Sequence, residues 1–257
     1  MSKLNEFKKL HDGPDPLLIG NVWNVQSAAV FQKLDFKAIG TSSAAVAESL
    51  GYDDGQQMSF EEYFFIINRI QKCTRVPLSV DLEAGYGTTA EQIGDNIKRL
   101  ADIGVVGVNI EDSTISGGRR VIVDEIKFGR LLTGIVDKLK RDNVEIFLNL
   151  RSDVFLLGLD PLVSNAVRRI DIYRSTGVDG FFFPGITQAD HIEDVVKASP
   201  LPVNVMAMPG LPSFDRLKNL GVRRISMGNF LNKKTYQRLE AELKNILTKG
   251  NFAGLFQ

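Results

Sequence analysis

Short apolar runs recur along the whole chain at spacings of roughly 20 to 40 residues, as units of a strand followed by a helix require. Between the runs, apolar residues return with a helical period, and in residues 89–104 Ile93, Ile97, Leu100 and Ala101 share one face. Several runs are almost continuously hydrophobic, which is typical of a parallel sheet covered on both faces. The predicted strands are LLIGNVW (17–23), FKAIGTS (36–42), VPLSVDLE (76–83), VVGVNIE (105–111), EIFLNLR (145–151), VDGFFFPG (178–185), LPVNVMAM (201–208) and VRRISMG (222–228).

Eight strands, each followed by a helical stretch, predict an α/β protein with the architecture of a (β/α)8 TIM barrel. A doubly wound open sheet is the alternative, but no early G-x-G-x-x-G fingerprint supports it. Because no linker, low-complexity segment or charge block divides the chain, we expect a single barrel domain over residues 1–257, with 232–257 as C-terminal helix and tail. The apolar end of that tail, NFAGLFQ, is expected to pack on a neighbouring subunit or on the barrel floor.

Composition excludes several classes of function. Among the 257 residues, 31 Lys and Arg balance 31 Asp and Glu, so the net charge does not predict a nucleic-acid or anionic-membrane partner. No apolar run reaches the about 20 residues of a membrane span, and the polar amino terminus lacks a signal-peptide core, so we expect a cytoplasmic protein. The one cysteine, Cys73, excludes an internal disulfide and is expected to be buried in a helix.

Polar residues follow the predicted strands at matching positions. Asp81 and Glu83 lie two residues apart, and the next two strands end in the pairs Asn109 and Glu111, and Asn149 and Arg151. Such pairs point to one side of a strand and meet at the carboxyl end of a barrel. Clustered carboxylates need a cation, and with only two histidines in the chain oxygen ligands favour Mg²⁺, with Mn²⁺ or Ca²⁺ as alternatives. The competing interpretation is a set of structural salt bridges at the strand ends.

Four motifs resemble the isocitrate lyase/phosphoenolpyruvate mutase superfamily, and most closely its phosphoenolpyruvate phosphonomutase-like branch. They are GTSSAAVAESLGYDDG (40–55), DLEAGYG (81–87), GVNIEDS (107–113) and LNLRSDVF (148–155), in the family's order. The resemblance implies a (β/α)8 barrel whose eighth helix is swapped between subunits of a homodimer or homotetramer. It also implies a magnesium-dependent enzyme, with Mn²⁺ as the alternative ion.

The resemblance further implies a set of site residues. The metal would be held directly by Asp81 and, through its waters, by Asp54, Glu83 and Glu111. The substrate set comprises Trp23, Ser42, Ser43, Ala44, Asp81, Arg151 and Asn204, with the backbone N–H groups of 42–44 on the keto-acid carboxylate. Trp23 would wall the pocket or, alternatively, be a half-buried core aromatic. The catalytic candidates are Arg151, Asp112 and Ser113; the last two would move a proton, unless Asp112 is only a satisfied structural acid.

The segment EDSTISGGRRVIVD (111–124) departs from the family pattern. It contains no Cys, Lys or His, which argues against a cysteine-dependent isocitrate or methylisocitrate lyase, and it lacks the Asn and Lys of the mutase gating loop. Gly117 and Gly118 could hinge a lid that brings Arg119 and Arg120 over an anionic substrate, or the segment could be a solvated basic turn.

We therefore expect a Mg²⁺-dependent lyase, hydrolase or decarboxylase that cleaves a C–C or C–P bond of a small α-keto acid through a metal-bound enolate. The substrate would be oxaloacetate-like or phosphonopyruvate-like. One alternative is a barrel that has lost turnover and serves as a keto-acid-binding or assembly protein. Another is C–C bond formation, as in ketopantoate hydroxymethyltransferases.

Overall fold

A parallel sheet closes on itself at the centre of the molecule, as seen in a computed structural model that describes residues 2–256. Among these residues, nine strands form the sheet in the order β1-β11-β10-β9-β8-β5-β4-β3-β2, and β6 and β7 form a separate antiparallel hairpin. The strands are β1 (Leu17–Leu18), β2 (Gly20–Val22), β3 (Ile39–Thr41), β4 (Leu78–Asp81), β5 (Gly107–Glu111), β6 (Ser113–Ser116), β7 (Arg119–Ile122), β8 (Phe147–Arg151), β9 (Gly180–Phe183), β10 (Val203–Met206) and β11 (Arg224–Ser226).

The barrel closes through one stretch of chain. β1 pairs with β11 and β2 pairs with β3, and between them the amide of Ile19 donates to the carbonyl of Ile225 at 2.9 Å. β1 and β2 therefore occupy the place of a single barrel strand, and every predicted strand lies where the hydrophobic runs placed it. The (β/α)8 prediction is confirmed.

Helices cover the outside of the sheet. In α5, Ile93, Ile97 and Leu100 are buried against it, as their spacing predicted, and a capping box between Ser59 and Glu62 starts α4. The helices are α1 (Lys3–Leu10), α2 (Val25–Lys33), α3 (Ser43–Leu50), α4 (Phe60–Cys73), α5 (Ala90–Asp102), α6 (Glu125–Arg141), α7 (Leu162–Tyr173), α8 (Ala189–Ala198), α9 (Phe214–Asn219) and α10 (Phe230–Lys249), and a 3₁₀ turn covers Ala253–Phe256.

Alternation along the strands separates an apolar outer face from a polar interior. Val80, Val108 and Leu148 belong to the main apolar core beneath the helices, whereas the alternating residues face inward. At the end where the strands begin, Phe7 of α1 packs with Phe147 and other apolar residues and fills the barrel. Polar groups are therefore left to the middle and to the carboxyl end, where ligands of such barrels bind.

Two expectations are corrected by the structure. Cys73 is exposed rather than buried, because it is the last residue of α4, where the chain leaves the helix. The C-terminal helix begins at Phe230, not at 232, and the tail folds back on α10 instead of on the barrel floor. The last tail residue, Gln257, lies outside the described residues. Within residues 2–256, none of the helices has both the length and the apolar content that a membrane span requires.

Candidate active site at the carboxyl end of the barrel

A layer of amides lies inside the barrel, just below its open end. Asn149 donates to the side-chain oxygens of Asn109 and Asn204 at 2.9 and 3.3 Å, so one hydrogen-bonded row connects β5, β8 and β10. Asn204 is buried in this row and also donates to Ser226 Oγ at 3.2 Å, and it is not among the residues that line the cavity above. The structure thus gives Asn204 a supporting position below the predicted substrate site.

Arg224 is a charged residue of this layer for which the sequence reasoning assigned no role. It is 2% exposed, and its Nη2 lies 3.5 Å from both Ser79 Oγ and Asn109 Oδ1, while Nε and Nη1 have no partner among the described residues. Burial lowers the pKa of Arg224 to about 9, against the opposing charge of Asp81. The signal in the sequence was the alternation of Arg224 and Ser226 with the apolar Ile225, which turns the arginine toward the barrel interior.

Asp81 ends β4 and lines a cavity of about 40 Å³. Ser43 Oγ donates to its Oδ2 at 2.8 Å and Asn109 Nδ2 to its Oδ1 at 3.3 Å, and within residues 2–256 no Lys or Arg pairs with it. Ser42, Asn109 and Arg151 line the same cavity. Asp81 is therefore an oriented carboxylate that faces the cavity without a cation of the protein bound to it.

The N-terminus of α3 lies beside this carboxylate. Ser42 is the N-cap, with its side chain accepting from the amide of Ala45, and Ser43 and Ala44 occupy the first turn. The amides of a first helical turn have no partner within the helix and favour anions. The predicted grouping of residues 42–44 with Asp81 is therefore what the structure shows.

Glu83 follows Asp81 in a left-handed backbone conformation, with φ of 51°, that carries its side chain back toward the barrel mouth. The hydroxyl of Tyr86 donates to Oε1 at 3.0 Å, and the buried Oε2 has no partner among the described residues. Burial, together with the charges of Asp54, Glu111 and Asp81, raises the pKa of Glu83 to about 8. The four predicted metal-binding acids are thus close enough to repel one another.

Glu111 and Arg151 meet in a buried cluster beside the cavity. Arg151 Nη1 lies 2.9 Å from Glu111 Oε2, as an ion pair without hydrogen-bond alignment, and its Nε donates to Asp153 Oδ1 at 2.7 Å. Ser113 Oγ donates to Asp153 Oδ2 at 2.5 Å and lies 3.2 Å from Glu111 Oε1. Burial raises the pKa of Glu111 to about 7, with Arg151 and Arg120 opposing the rise.

Arg120, on β7, completes this cluster from above. It donates to Glu111, lies 3.3 Å from Asp153 Oδ2, and pairs with Asp54 Oδ2 at 3.0 Å. Arg119 beside it is exposed and makes no ion pair among the described residues. The sequence left two interpretations open, a lid that brings both arginines over a substrate and a solvated basic turn; in the structure Arg119 is exposed, whereas Arg120 binds two of the acids predicted to hold metal-bound water.

Asp112 lies apart from the cavity and is fully buried. It accepts hydrogen bonds from Ser152 Oγ at 2.7 Å and from the amide of Asp153 at 3.0 Å, and Arg169 Nη1 lies 3.0 Å from its Oδ2. Burial raises the pKa of Asp112 to about 6, against the effect of Arg169. Both oxygens are engaged, which favours the structural role over proton transfer.

Trp23 is half-buried and packs against the main apolar core. It does not line the cavity, so its surroundings match the core-aromatic alternative rather than a pocket wall. Ser113, by contrast, lies between Glu111, Asp153 and Arg120, and it is held beside the acids rather than open to the cavity.

The acids of the mouth fit a hard cation by their chemistry. The donors are carboxylate oxygens, Asp81 lacks a cation partner, and Glu83 has an unpaired buried oxygen, as Mg²⁺ with several retained waters would require. In the part of the chain that the structure describes, no three His, Cys, Asp or Glu side chains converge closely enough to hold a metal directly. A metal here would touch Asp81, with Asp54, Glu83 and Glu111 reaching it through water.

The fold and the site define a (β/α)8 barrel with a polar ligand site at the carboxyl ends of its strands. Residues 7–247 match the sequence profile of the family described as Phosphoenolpyruvate phosphomutase. The chain therefore belongs to that family, within the PEP mutase/isocitrate lyase superfamily, as the motifs indicated.

Named relatives cover most of the chain. An uncharacterized protein of Mycobacterium tuberculosis (strain ATCC 25618 / H37Rv) is 30% identical over 223 residues, or 87% of this chain and 81% of that protein. Oxaloacetate decarboxylase of Ectopseudomonas mendocina (strain ymp) is 27% identical over 217 residues, or 81% of this chain and 72% of that enzyme.

Solved structures share the fold of this chain. A candidate phosphonomutase from Burkholderia cenocepacia J2315 superimposes with a TM-score of 0.88 at 33% identity, covering 94% of this chain and 99% of that one. A phosphonopyruvate hydrolase in complex with oxalate and Mg²⁺ has a TM-score of 0.86 at 19% identity, covering 99% of this chain and 90% of that one. At 19% identity the likeness concerns the fold.

Proposed function

We propose that the protein is a Mg²⁺-dependent lyase or hydrolase, with Mn²⁺ as an alternative ion, that cleaves a C–C or C–P bond of a small α-keto acid. The observation that carries the proposal is Asp81, a carboxylate at a cavity, oriented by Ser43 and not paired with any cation of the described chain. Ser42 at the N-terminus of α3 and Arg151 line the same cavity, and each could bind one anionic end of a keto acid.

Bound at Asp81, Mg²⁺ would supply a Lewis acid that polarises the keto oxygen. The residues of the chain do the rest. The first amides of α3, from Ser43 and Ala44, bind the carboxylate next to the keto group, and Arg151 binds the distal group. Glu83 and Glu111 would help to hold the ion through water rather than by direct contact.

Decarboxylation of an oxaloacetate-like acid needs the least from the divergent 111–124 segment. The bond to the distal carboxylate breaks, its electron pair passes into the enolate of the remaining acid, carbon dioxide leaves, and a proton adds to the carbon that lost it. The relative from Ectopseudomonas mendocina is named for this activity, which supports the choice. The oxalate and Mg²⁺ of the phosphonopyruvate hydrolase complex support the ligand class.

A cysteine nucleophile is not part of the proposal. Cys73 is the last residue of α4 and precedes the first residue of β4, whereas Asp81 is the last residue of that strand. The thiol therefore lies at the end of the barrel opposite Asp81. We therefore expect activity to survive Cys73→Ser, unlike the activity of a cysteine-dependent lyase.

A substrate panel tests the function. Oxaloacetate and phosphonopyruvate are incubated with the protein and Mg²⁺, product is followed by NMR, and EDTA-treated protein is the control. Metal-dependent formation of pyruvate from either acid supports the proposal. Binding of oxalate without turnover of either acid would instead identify a keto-acid-binding protein.

We also propose that a second copy of the chain covers α10, giving a homodimer or homotetramer in which this helix is exchanged. Tyr236, Leu239, Leu243 and Leu247 recur every three or four residues and are each at least half exposed. An apolar stripe of this length on a helix is typical of an interface.

A further inference from the structure

The β6–β7 hairpin covers the acid-rich mouth, and it is attached there by only a few side chains. Its turn, Gly117–Gly118, has positive φ at both residues and open space around it. Most of the hairpin is exposed, but Ile115 packs on Gly55, in the loop that carries Asp54. The hairpin therefore contacts the mouth through Ser113 at its base and through Ile115 and Arg120.

Arg120 joins three separate parts of the barrel. Its guanidinium contacts Asp54 from the loop after α3, Glu111 at the end of β5 and Asp153 after β8, and it donates to Ser113 Oγ at 2.9 Å. Its side chain is 13% exposed, whereas that of Asp54 is 45% exposed. An arginine fork held this way is organised by carboxylates of the protein, in the manner in which it would bind a carboxylate of a ligand.

The charges of this cluster balance in a particular way. Arg120 and Arg151 each contact both Glu111 and Asp153, so two guanidinium groups neutralise two buried carboxylates. A dication that takes up Glu111 and Asp54 leaves Asp153 as the one carboxylate of this cluster that faces the two guanidinium groups. A distal anionic group that arrives with the dication replaces the lost carboxylate, so neither guanidinium group is left uncompensated.

We infer that Arg120 determines specificity for the distal anionic group of the substrate: it holds Asp54 and Glu111 in the free protein and exchanges them for that group when Mg²⁺ binds. The inference rests on the proposed function, since it assigns a residue to the same site. Arg120 alone opposes the metal, and with a dianionic ligand it assists binding. Metal and dianion therefore bind with positive coupling, and an acid without a distal anionic group gains nothing from Arg120.

Calorimetric titration of Mg²⁺ alone tests whether Arg120 competes with the metal for the acids. In Arg120→Gln the acids lose their competing cation, and we expect the metal to bind about tenfold more tightly than in the unaltered protein. Arg119→Gln removes an exposed charge from the same hairpin and is expected to change the affinity less than about twofold, because exposed charges are screened. Arg120→Lys keeps the charge, and its affinity for Mg²⁺ is expected to stay close to that of the unaltered protein.

Titration of two acids in saturating Mg²⁺ tests whether Arg120 binds the distal anionic group. Malate carries a distal carboxylate and oxalate does not. Arg120→Gln is therefore expected to weaken the binding of malate about tenfold and to leave the affinity for oxalate unchanged. Unchanged or weaker Mg²⁺ binding by Arg120→Gln, or equal weakening of both acids, would overturn the inference. The Mg²⁺ titration needs no turnover: tighter metal binding in a protein without keto-acid activity would sink the proposed function while leaving the role of Arg120 toward the metal.

Discussion

Ser43 Oγ donates a 2.8 Å hydrogen bond to Asp81 Oδ2, joining the first turn of α3 to the end of β4. The bond fixes one oxygen of Asp81, while Asn109 donates to the other at 3.3 Å. A carboxylate held from both sides presents its remaining lone pairs to the cavity. Ser43 is thus a positioning residue for the proposed metal ligand.

Ser43→Ala is expected to lower kcat/KM about tenfold, because a hydrogen bond to a charged group is lost at a site that depends on its geometry. Metal affinity, measured by calorimetry, should fall in parallel while the thermal midpoint stays nearly constant. Ser49→Ala, an exposed serine at the other end of α3, serves as the matched control and should change neither. Equal effects of the two variants would contradict the positioning role.

Asp112→Asn is expected to cost stability rather than chemistry. The change breaks the buried ion pair with Arg169 and should lower the free energy of unfolding by about 3 kcal/mol, measured by urea denaturation. Glu125→Gln alters the more exposed partner of Arg169 and should cost less. If Asp112→Asn leaves stability intact but lowers kcat by more than about a hundredfold, Asp112 acts on the substrate after all.

His11 makes stability depend on pH. It is buried between the rings of Phe7 and Phe147, and its Nδ1 lies 2.9 Å from the Phe7 carbonyl; burial, assisted by Arg224, lowers its pKa to about 3. Between pH 6.5 and about 3 the unfolded chain binds a proton at this residue and the folded chain does not. Stability contributed at neutral pH is therefore lost as the pH falls, by up to about 1.4 kcal/mol per pH unit.

His11→Asn keeps a donor for the Phe7 carbonyl and removes the titration. Urea unfolding of both proteins between pH 7 and 4.5 should show a smaller loss of stability in the variant on acidification. The difference between the two proteins is the quantity to compare, because buried acids such as Glu83 titrate in the opposite sense. Parallel curves for the two proteins would show that His11 is not kept neutral by its surroundings.

The exposed stripe of α10 predicts the assembly state. Leu243→Glu places a charge in the centre of the proposed interface and should shift the protein to monomers in light scattering. Leu34→Glu alters a leucine that is 64% exposed elsewhere and should leave the oligomer intact. A monomer before any substitution, or an oligomer that tolerates Leu243→Glu, would show that a second copy does not cover this helix.

The periodicity of apolar residues was sufficient to predict the fold, because each strand has its own alternating pattern. Val80, Val108 and Leu148 alternate with inward polar residues, and the apolar stripe of α5 recurs at helical spacing, so local patterns and the barrel agree. The grouping of Asp81 with residues 42–44 was implied by the resemblance of the motifs, and it agrees with the rule that the carboxyl ends of neighbouring parallel strands meet.

Side-chain partners chosen across long sequence distances were not predictable. Asp112 and Trp23 match the residue types and positions of the predicted site. Only the folded chain shows that Asp112 pairs with Arg169 and that Trp23 packs against the apolar core. The same holds for Arg120, whose three acids lie 9, 33 and 66 residues away. Arg224 was visible as an inward arginine, but its role depends on what lies opposite it inside the barrel.

The most direct test is Mg²⁺-dependent conversion of oxaloacetate to pyruvate by the unaltered protein and by Asp81→Ala, with folding of both verified by circular dichroism. We expect turnover that requires the metal in the unaltered protein, and loss of both turnover and metal binding in a folded Asp81→Ala variant. Undiminished metal-dependent turnover by Asp81→Ala would contradict it.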